Sequence, residues 1–401
     1  MEAKTIKGGG VTSAQGFRAA GIASGIKPDD EKDLALIVSD VAAEAAATFT
    51  TNLVKAAPVK LSMRNVRKGK IRGVVINAGC ANACTGVGGI ADAKAMVAHV
   101  AKEFNTKPAE WLVCSTGRIG TRLPMPQVKK GIEKAAEKLD LAGGEEAAKA
   151  IMTSDTRRKE YATSFKVDGK KVTIGGMAKG AGMIHPNMAT MLCFVTTDAC
   201  IDKATLQSCV DEAVENSFNR ISVDGDTSTN DTVIVLANGL SETNLLKSYH
   251  PQFELFKKQL THVMRKLARL IVEDGEGITH VVDVVVKGAP TVKDARLAAL
   301  AVCKSELVKT SWTGGDPNWG RIMAALGYSG ARIREEMIEI FYDGLSAVVN
   351  GQPSNTPIKK LQKIASKPVF TITIHLHSGE GEYSILTTDL TEEYVRINKG
   401  E

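Results

Sequence analysis

Between Gly175 and Ala199 the chain reads GGMAKGAGMIHPNMATMLCFVTTDA. A small-residue, glycine-rich half carrying a lone lysine, Lys179, runs into an apolar half that opens on Thr190. The first half reads as a flexible segment and the second as a buried strand. A threonine hydroxyl is a poor nucleophile unless a base takes its proton, and within an intact chain its own amide nitrogen cannot do so. A free α-amine, with a pKa of about 7.7–8.0, is matched to that task at neutral pH. Cleavage just before Thr190 would therefore create nucleophile and base in one residue. On these residues alone, Ala-Thr at a strand start reads more readily as a plain buried strand edge.

Other chemistries lack their residues. No G-x-x-x-x-G-K-[ST] or strand-led G-x-G-x-x-G is present; Gly180-Ala181-Gly182 and Gly275-Glu276-Gly277 both lack the third glycine. There is no G-x-S-x-G elbow and no H-E-x-x-H, and the loop beginning at Asp224 has Thr229 where a calcium loop needs glycine. The seven cysteines form no C-x-x-C pair, and most sit in apolar runs such as WLVCS and TMLCF, which points to a reducing compartment and to no metal site. Neither a nucleotide cofactor nor a metal is expected.

Motifs along the rest of the chain give the threonine a context. GFRAAGIASGIK stands near the start, then FTTNLVKAAPV, VVINAGCANACTG, CSTGRIG and IMTSDT; beyond KGAGMIHPNMATML come NRISVDGDTSTNDT, VEDGEGIT, GDPNWGR and EEYVRIN. Taken in this order, the sequence resembles the ornithine acetyltransferase (glutamate N-acetyltransferase) family of arginine biosynthesis over nearly its whole length. The resemblance implies self-cleavage between Ala189 and Thr190, giving chains 1–189 and 190–401 interwoven in one fold, with Thr190 as the acyl-accepting nucleophile. It implies an oxyanion hole at Thr116 and Gly117, in the turn expected after the strand WLVCS. It makes Lys179, Thr153, Glu276 and Asn398, with Thr190 itself, substrate contacts, although Thr156 lies close enough to Thr153 to compete for that register. The Asp224–Asp231 loop and Gly315–Arg321 are expected to be hydrogen-bonded turns bracing the sheet. Family members usually continue a few residues past Asn398, ending in a Tyr and a hydroxyl residue that reaches the substrate; the sequence departs from that pattern at Lys399-Gly400-Glu401, and the resemblance leaves substrate affinity and specificity open.

The implied reaction is a ping-pong transfer of acetyl from N-acetylornithine to glutamate, with acetyl-CoA as a further donor in some members. The implied assembly is two α and two β chains, in the cytoplasm. Two other readings stay open on the residues: an N-terminal-nucleophile aminopeptidase or amidase passing its acyl group to water, and an amino-acid-binding protein that never cleaves.

The elements that must position these residues alternate in type. Strand patterns fall at Val74–Ala78, Trp111–Ser115, Met191–Thr197, Thr232–Ala237, Val281–Lys287 and Phe370–His377. Helical periods fall at Gln127–Leu139, Glu145–Met152, Lys203–Phe218, Pro251–Val272 and Val292–Leu307. The expected fold is α/β, and the resemblance makes it a layered αββα sandwich of the N-terminal-nucleophile kind with a smaller C-terminal α/β portion. Length alone, 401 residues, suggests two domains. The basic stretch Lys60–Arg72 reads as a solvated hairpin or strand flank, because no nucleic-acid motif accompanies the net charge of +6. With no 18-residue apolar run and no apolar leader after MEAKTIKGGG, neither membrane spanning nor secretion is expected.

Overall fold

The computed structural model describes residues 3–185 and 191–399, so Ala189 and Thr190 lie outside the described residues. The described chain divides into two compact units. The first holds residues 3–180, 191–219 and 227–271; the second holds 181–185, 220–226 and 272–399.

The first unit is built on strands β1 (Lys4–Thr5), β2 (Phe17–Ile22), β3 (Leu34–Phe49), β4 (Ile71–Cys80), β5 (Trp111–Arg118), β6 (Lys159–Val167), β7 (Lys170–Lys179), β8 (Leu192–Thr197) and β9 (Thr232–Ala237). Their order is β1-β6-β7-β8-β9-β3-β4-β5, with β2 paired to β3. Sixteen residues is long for one strand. β3 manages it by shifting register between Val38 and Ala43, pairing with β2 and β4 before the shift and, after it, with β4 once more at Ile71 and with β9. Two sheets therefore share one strand and fold over a common core. Phe194 and Leu192 of β8, Met177 of β7 and Ile234 of β9 meet Ile37, Val74, Ile76 and Leu112 there. Helices cover the outer faces: Met96, Val97 and Val100 of helix Gly86–Glu103, with Val128 and Ile132 of helix Met125–Glu137, pack on Leu34, Leu36, Val75 and Val113. On the other side, Leu267 of helix Phe253–Val272 lies against β7 at Gly176, and Gln207 of helix Lys203–Glu215 bonds the backbone of Ala47. Both faces of β8 are thus buried, which is why LCFVTT reads as a continuous run with little alternation. This is the αββα layering expected.

The second unit carries strands β10 (Val281–Ala289), β11 (Glu339–Tyr342), β12 (Leu345–Val349), β13 (Gln352–Pro353), β14 (Val369–His375) and β15 (Gly381–Thr388), in the order β13-β12-β11-β14-β10-β15. Val282, Val284 and Val286 alternate onto one face of β10 and pack with Ala295, Ala298, Ala299 and Val302 of helix Val292–Lys304. The single helical period expected over Val292–Leu307 is two helices. Ser305 ends the first, and its hydroxyl accepts the Val308 amide to cap the second, Glu306–Thr313.

The basic stretch Lys60–Arg72 is neither hairpin nor strand flank over its first half. Helix Ala57–Asn65 occupies it, with Leu61, Ser62, Asn65 and Val66 buried and Lys60, Arg64, Arg67 and Lys68 exposed. The buried face serves β5, which lies at a sheet edge. The Ser62 hydroxyl donates to the Val113 carbonyl and accepts the Val113 amide, at 2.7 and 2.9 Å. Asn65 donates to the Trp111 carbonyl at 3.0 Å. The helix satisfies an edge that would otherwise need water or another strand. Among the described residues no helix is long and apolar enough to cross a membrane.

Candidate active site

Lys179 closes strand β7, and the structure corrects the flexible reading of its surroundings. Gly175 and Gly176 are interior strand residues. A Cβ on Gly175 would sit 2.1 Å from the Gly10 carbonyl oxygen, and one on Gly176 would sit 2.9 Å from Leu267. The glycines permit close packing here; they do not loosen the chain. Lys179 is accordingly buried, only 2% exposed. Its ammonium donates to the Thr153 hydroxyl at 2.5 Å and approaches the Thr116 hydroxyl at 3.4 Å. The structure therefore brings Thr116, Thr153 and Lys179 together. Thr156, the competing register, is exposed and lines a separate cavity with Arg157 and Arg158.

Thr116 and Gly117 belong to β5 itself; the expected turn is absent because the strand continues to Arg118. Gly117 pairs with Gly79 of β4. Gly117 has φ +126°, and a Cβ there would lie 2.3 Å from the Gly79 carbonyl carbon. Only glycine fits. Register shifts just after this pair, at Cys80, where the ladder is locally disrupted. The loop before β9 braces the spot: Asn230 donates to the carbonyls of Ala81 and Ser115, at 2.7 and 2.8 Å.

Several residues that the sequence reading did not single out complete the first unit's site. Asp155 accepts the Thr153 amide on Oδ2 (3.0 Å), and the Gly180 amide (2.7 Å) and the Lys159 ammonium (2.6 Å) on Oδ1. Lys179 stands 3.7 Å from its Oδ2. Burial pushes the Asp155 carboxyl up, but the two ammoniums and the Gly180 amide outweigh it and hold it well below the usual carboxylate range. Asp231, wholly buried, accepts the Met191 amide at 3.0 Å. Its Oδ2 has no hydrogen-bond partner among the described residues. Burial dominates there and pushes this carboxyl well up, against the pull of the Met191 amide and Lys179. Asp155 stands two residues from Thr153 in IMTSDT, and Asp231 ends the Asp-rich run, so proximity in sequence was the available signal.

In the second unit, Glu276 lies in the loop before β10, and Asn398 belongs to the last helix, Glu392–Asn398. The Asn398 amide donates to Glu276 Oε2 at 2.9 Å. Gly182 faces the same carboxylate so closely that a Cβ would meet it at 2.4 Å. The Glu276 amide donates to the Ala181 carbonyl at 3.1 Å. Asp224 accepts the amides of Met183 and Ile184, at 2.5 and 2.9 Å, and the Tyr394 hydroxyl at 3.2 Å. Asp224 thus braces backbone, but at Met183 and Ile184, outside the strands rather than on the sheet as expected, and Tyr394 joins it from EEYVRIN.

The profile of the ArgJ family matches residues 18–400. The chain is 47% identical over 397 residues to the arginine biosynthesis bifunctional protein ArgJ of Caldanaerobacter subterraneus, covering 98% of each chain. It is also 47% identical over 402 residues to the glutamate N-acetyltransferase of Methanocaldococcus jannaschii, covering 97% of this chain and 98% of that one. Among solved structures, ornithine acetyltransferase complexed with ornithine from Mycobacterium tuberculosis matches at 42% identity over 46% of this chain and 98% of that chain, with a TM-score of 0.43. The chain belongs to the ArgJ family, the acyltransferases of arginine biosynthesis.

Proposed function

We propose that the chain cuts itself between Ala189 and Thr190 and then moves an acetyl group from N2-acetyl-L-ornithine to L-glutamate by way of an acetyl-threonine. The observation that carries this reading is the convergence of Thr116, Thr153 and the buried Lys179 ammonium in a chain matched over residues 18–400 by the ArgJ family. In the first half-reaction the Thr190 amine takes the proton of the Thr190 hydroxyl as that oxygen attacks the acetyl carbonyl. The Thr116 hydroxyl and the Gly117 amide donate to the oxyanion that forms. The C–N bond to ornithine breaks, its nitrogen takes the proton from the Thr190 amine, and the acetyl ester remains. In the second half-reaction the glutamate amine attacks the ester, its proton passes to the Thr190 amine, and the C–O bond breaks to restore the hydroxyl.

An ammonium buried at the end of β7 is poorly placed to be a solvent-facing lysine and well placed to pair with a substrate α-carboxylate. The family pattern assigns Glu276 and Asn398 to substrate contact, and the Asn398 amide fixes the orientation of the Glu276 carboxylate. On the same resemblance we extend the donor range to acetyl-CoA, the assembly to two α and two β chains, and the location to the cytoplasm.

Mass spectrometry of the protein incubated with acetylornithine alone tests the reading. A gain of about 42 Da, the mass an acetyl group adds on acyl transfer, is expected on a fragment beginning at Thr190. An intact, unmodified chain overturns it. Release of free acetate at a rate indifferent to glutamate would make the protein a hydrolase.

A further inference from the structure

Two buried lysines share one carboxylate. Lys159, the first residue of β6, is fully buried and holds Asp155 Oδ1 at 2.6 Å; Lys179, the last residue of β7, stands at 3.7 Å from Oδ2. The same carboxylate ties down the Thr153 amide and the Gly180 amide. Asp155 is therefore the common anchor of Thr153, of Lys179 and of the residue after Lys179, and Lys159 decides how that anchor is shared.

An anion seated against an ammonium competes with any other anion for it, and the competition grows as water is excluded. If Asp155 closed on Lys179 with the separation it has from Lys159, much of the attraction of Lys179 for a ligand carboxylate would be cancelled. The closer pairing belongs instead to Lys159. We propose that Lys159 is a positioning residue: by engaging Asp155 it keeps that carboxylate off Lys179 and so sets the affinity of the site for the carboxylate of its amino-acid substrates. This rests on the reading of Lys179 as the substrate lysine. The other ionisable groups acting here are Asp231, which senses Lys179 from the start of β9, and Lys27, which senses Asp155.

The test compares the full-length, self-processed protein with Lys159→Met, Lys159→Arg and Asp155→Asn. In Lys159→Met a like charge leaves and Asp155 turns to Lys179. KM for acetylornithine and for glutamate should rise on the order of tenfold while kcat holds, and the alkaline limb of 1/KM should move to higher pH. In Asp155→Asn the opposite charge leaves two neighbouring ammoniums, and the same limb should move to lower pH. Lys159→Arg should restore KM. A purely structural pair predicts limb shifts of one sign or none, so opposite signs are the discriminating result. Unchanged KM and unshifted limbs, or a loss confined to kcat, overturn the proposal. If Lys159→Met does not fold, the limb shift in Asp155→Asn and the KM of Lys159→Arg decide. A wild-type protein that takes no acetyl group from acetylornithine defeats the underlying reading; a wild type that does, with KM indifferent to residue 159, defeats only this one.

Discussion

Thr116 and Lys179 lie within 3.4 Å of one another but are asked for different work. In the proposed mechanism Thr116 donates to charge present only in the transition state, so Thr116→Ala should lower kcat by about 10²–10³ with KM little changed. On the same proposal Lys179→Met removes a contact made to bound substrate throughout, and its loss should appear chiefly in KM. Steady-state kinetics on the two variants separates the roles. Asp231 makes a prediction about stability. Its folded-state pKa lies above the unfolded value, so between the two the folded protein holds the extra proton, and stability falls as pH rises through that window. An asparagine side chain at this position mimics the protonated acid and still accepts the Met191 amide. Thermal melts of Asp231→Asn should therefore lose the fall in Tm that the wild type shows over that window. Asp231→Ala strands a buried amide and should cost about 1–3 kcal/mol at any pH.

At the scale of elements, the end of β5 depends on two kinds of support. Gly117→Ala forces a Cβ against the Gly79 carbonyl at a positive φ, and overpacking of this sort costs about 1–3 kcal/mol. Because the strain falls on the backbone beside Thr116, activity should drop beyond what the lower melting temperature explains. Ser62→Ala strips both hydrogen bonds from Val113, three residues before Thr116, and should lower Tm by a similar energy while leaving kcat close to normal. If the two variants lose activity in parallel, the local argument about Gly117 fails. These elements also show what the sequence could reveal. Thr232–Ala237 was legible to the residue, β5, β8, β10 and β14 nearly so and β4 in its central half, because β-branched runs, buried on both faces as in β9 or alternating as in β14, have no competing helical period. β3 was not seen: LALIVSDVAAEAAATF is half alanine-rich, a composition of high helical propensity, and only pairing on both sides makes it a strand. β6 and β7 were hidden by lysines and glycines whose burial depends on partners distant in sequence, and this is why the segment carrying Lys179 read as flexible. The motif residues of the site were legible through resemblance. Asp155 offered only its nearness to Thr153, and Lys159 nothing, since an ion pair between buried residues leaves no period.

At the scale of the molecule, each unit carries its own prediction. In the second unit Lys309 is buried, its ammonium donating to the Thr388 carbonyl. Burial pulls its pKa down to about 8, against Cys303, Asp389 and Asp224. The unfolded chain then binds more protons than the folded one between about 8 and the ordinary lysine value of about 10.4, and stability attributable to this group rises with pH across that range. Lys309→Met should remove that rise, read as the difference between wild-type and variant unfolding free energies at about pH 7 and about pH 11, on either side of the window. In the first unit the prediction concerns the proposed cut. Strands from before residue 189 and after residue 190 do not sit on opposite sides of a seam: β8 and β9 lie between β7 and β3, paired along six residues to each. Phe194, Leu192 and Ile234 also fill the core shared with β4 and β5. Severing the peptide before Thr190 breaks one covalent link and leaves these ladders untouched, so the pieces of 189 and 212 residues gain no route apart short of unfolding the sheet. A denaturing gel should show two bands where native mass spectrometry shows the two pieces only together, and in rising urea their separation should coincide with loss of sheet by circular dichroism. Pieces that part in native buffer while the sheet signal persists would refute the interleaved order of β7, β8, β9 and β3.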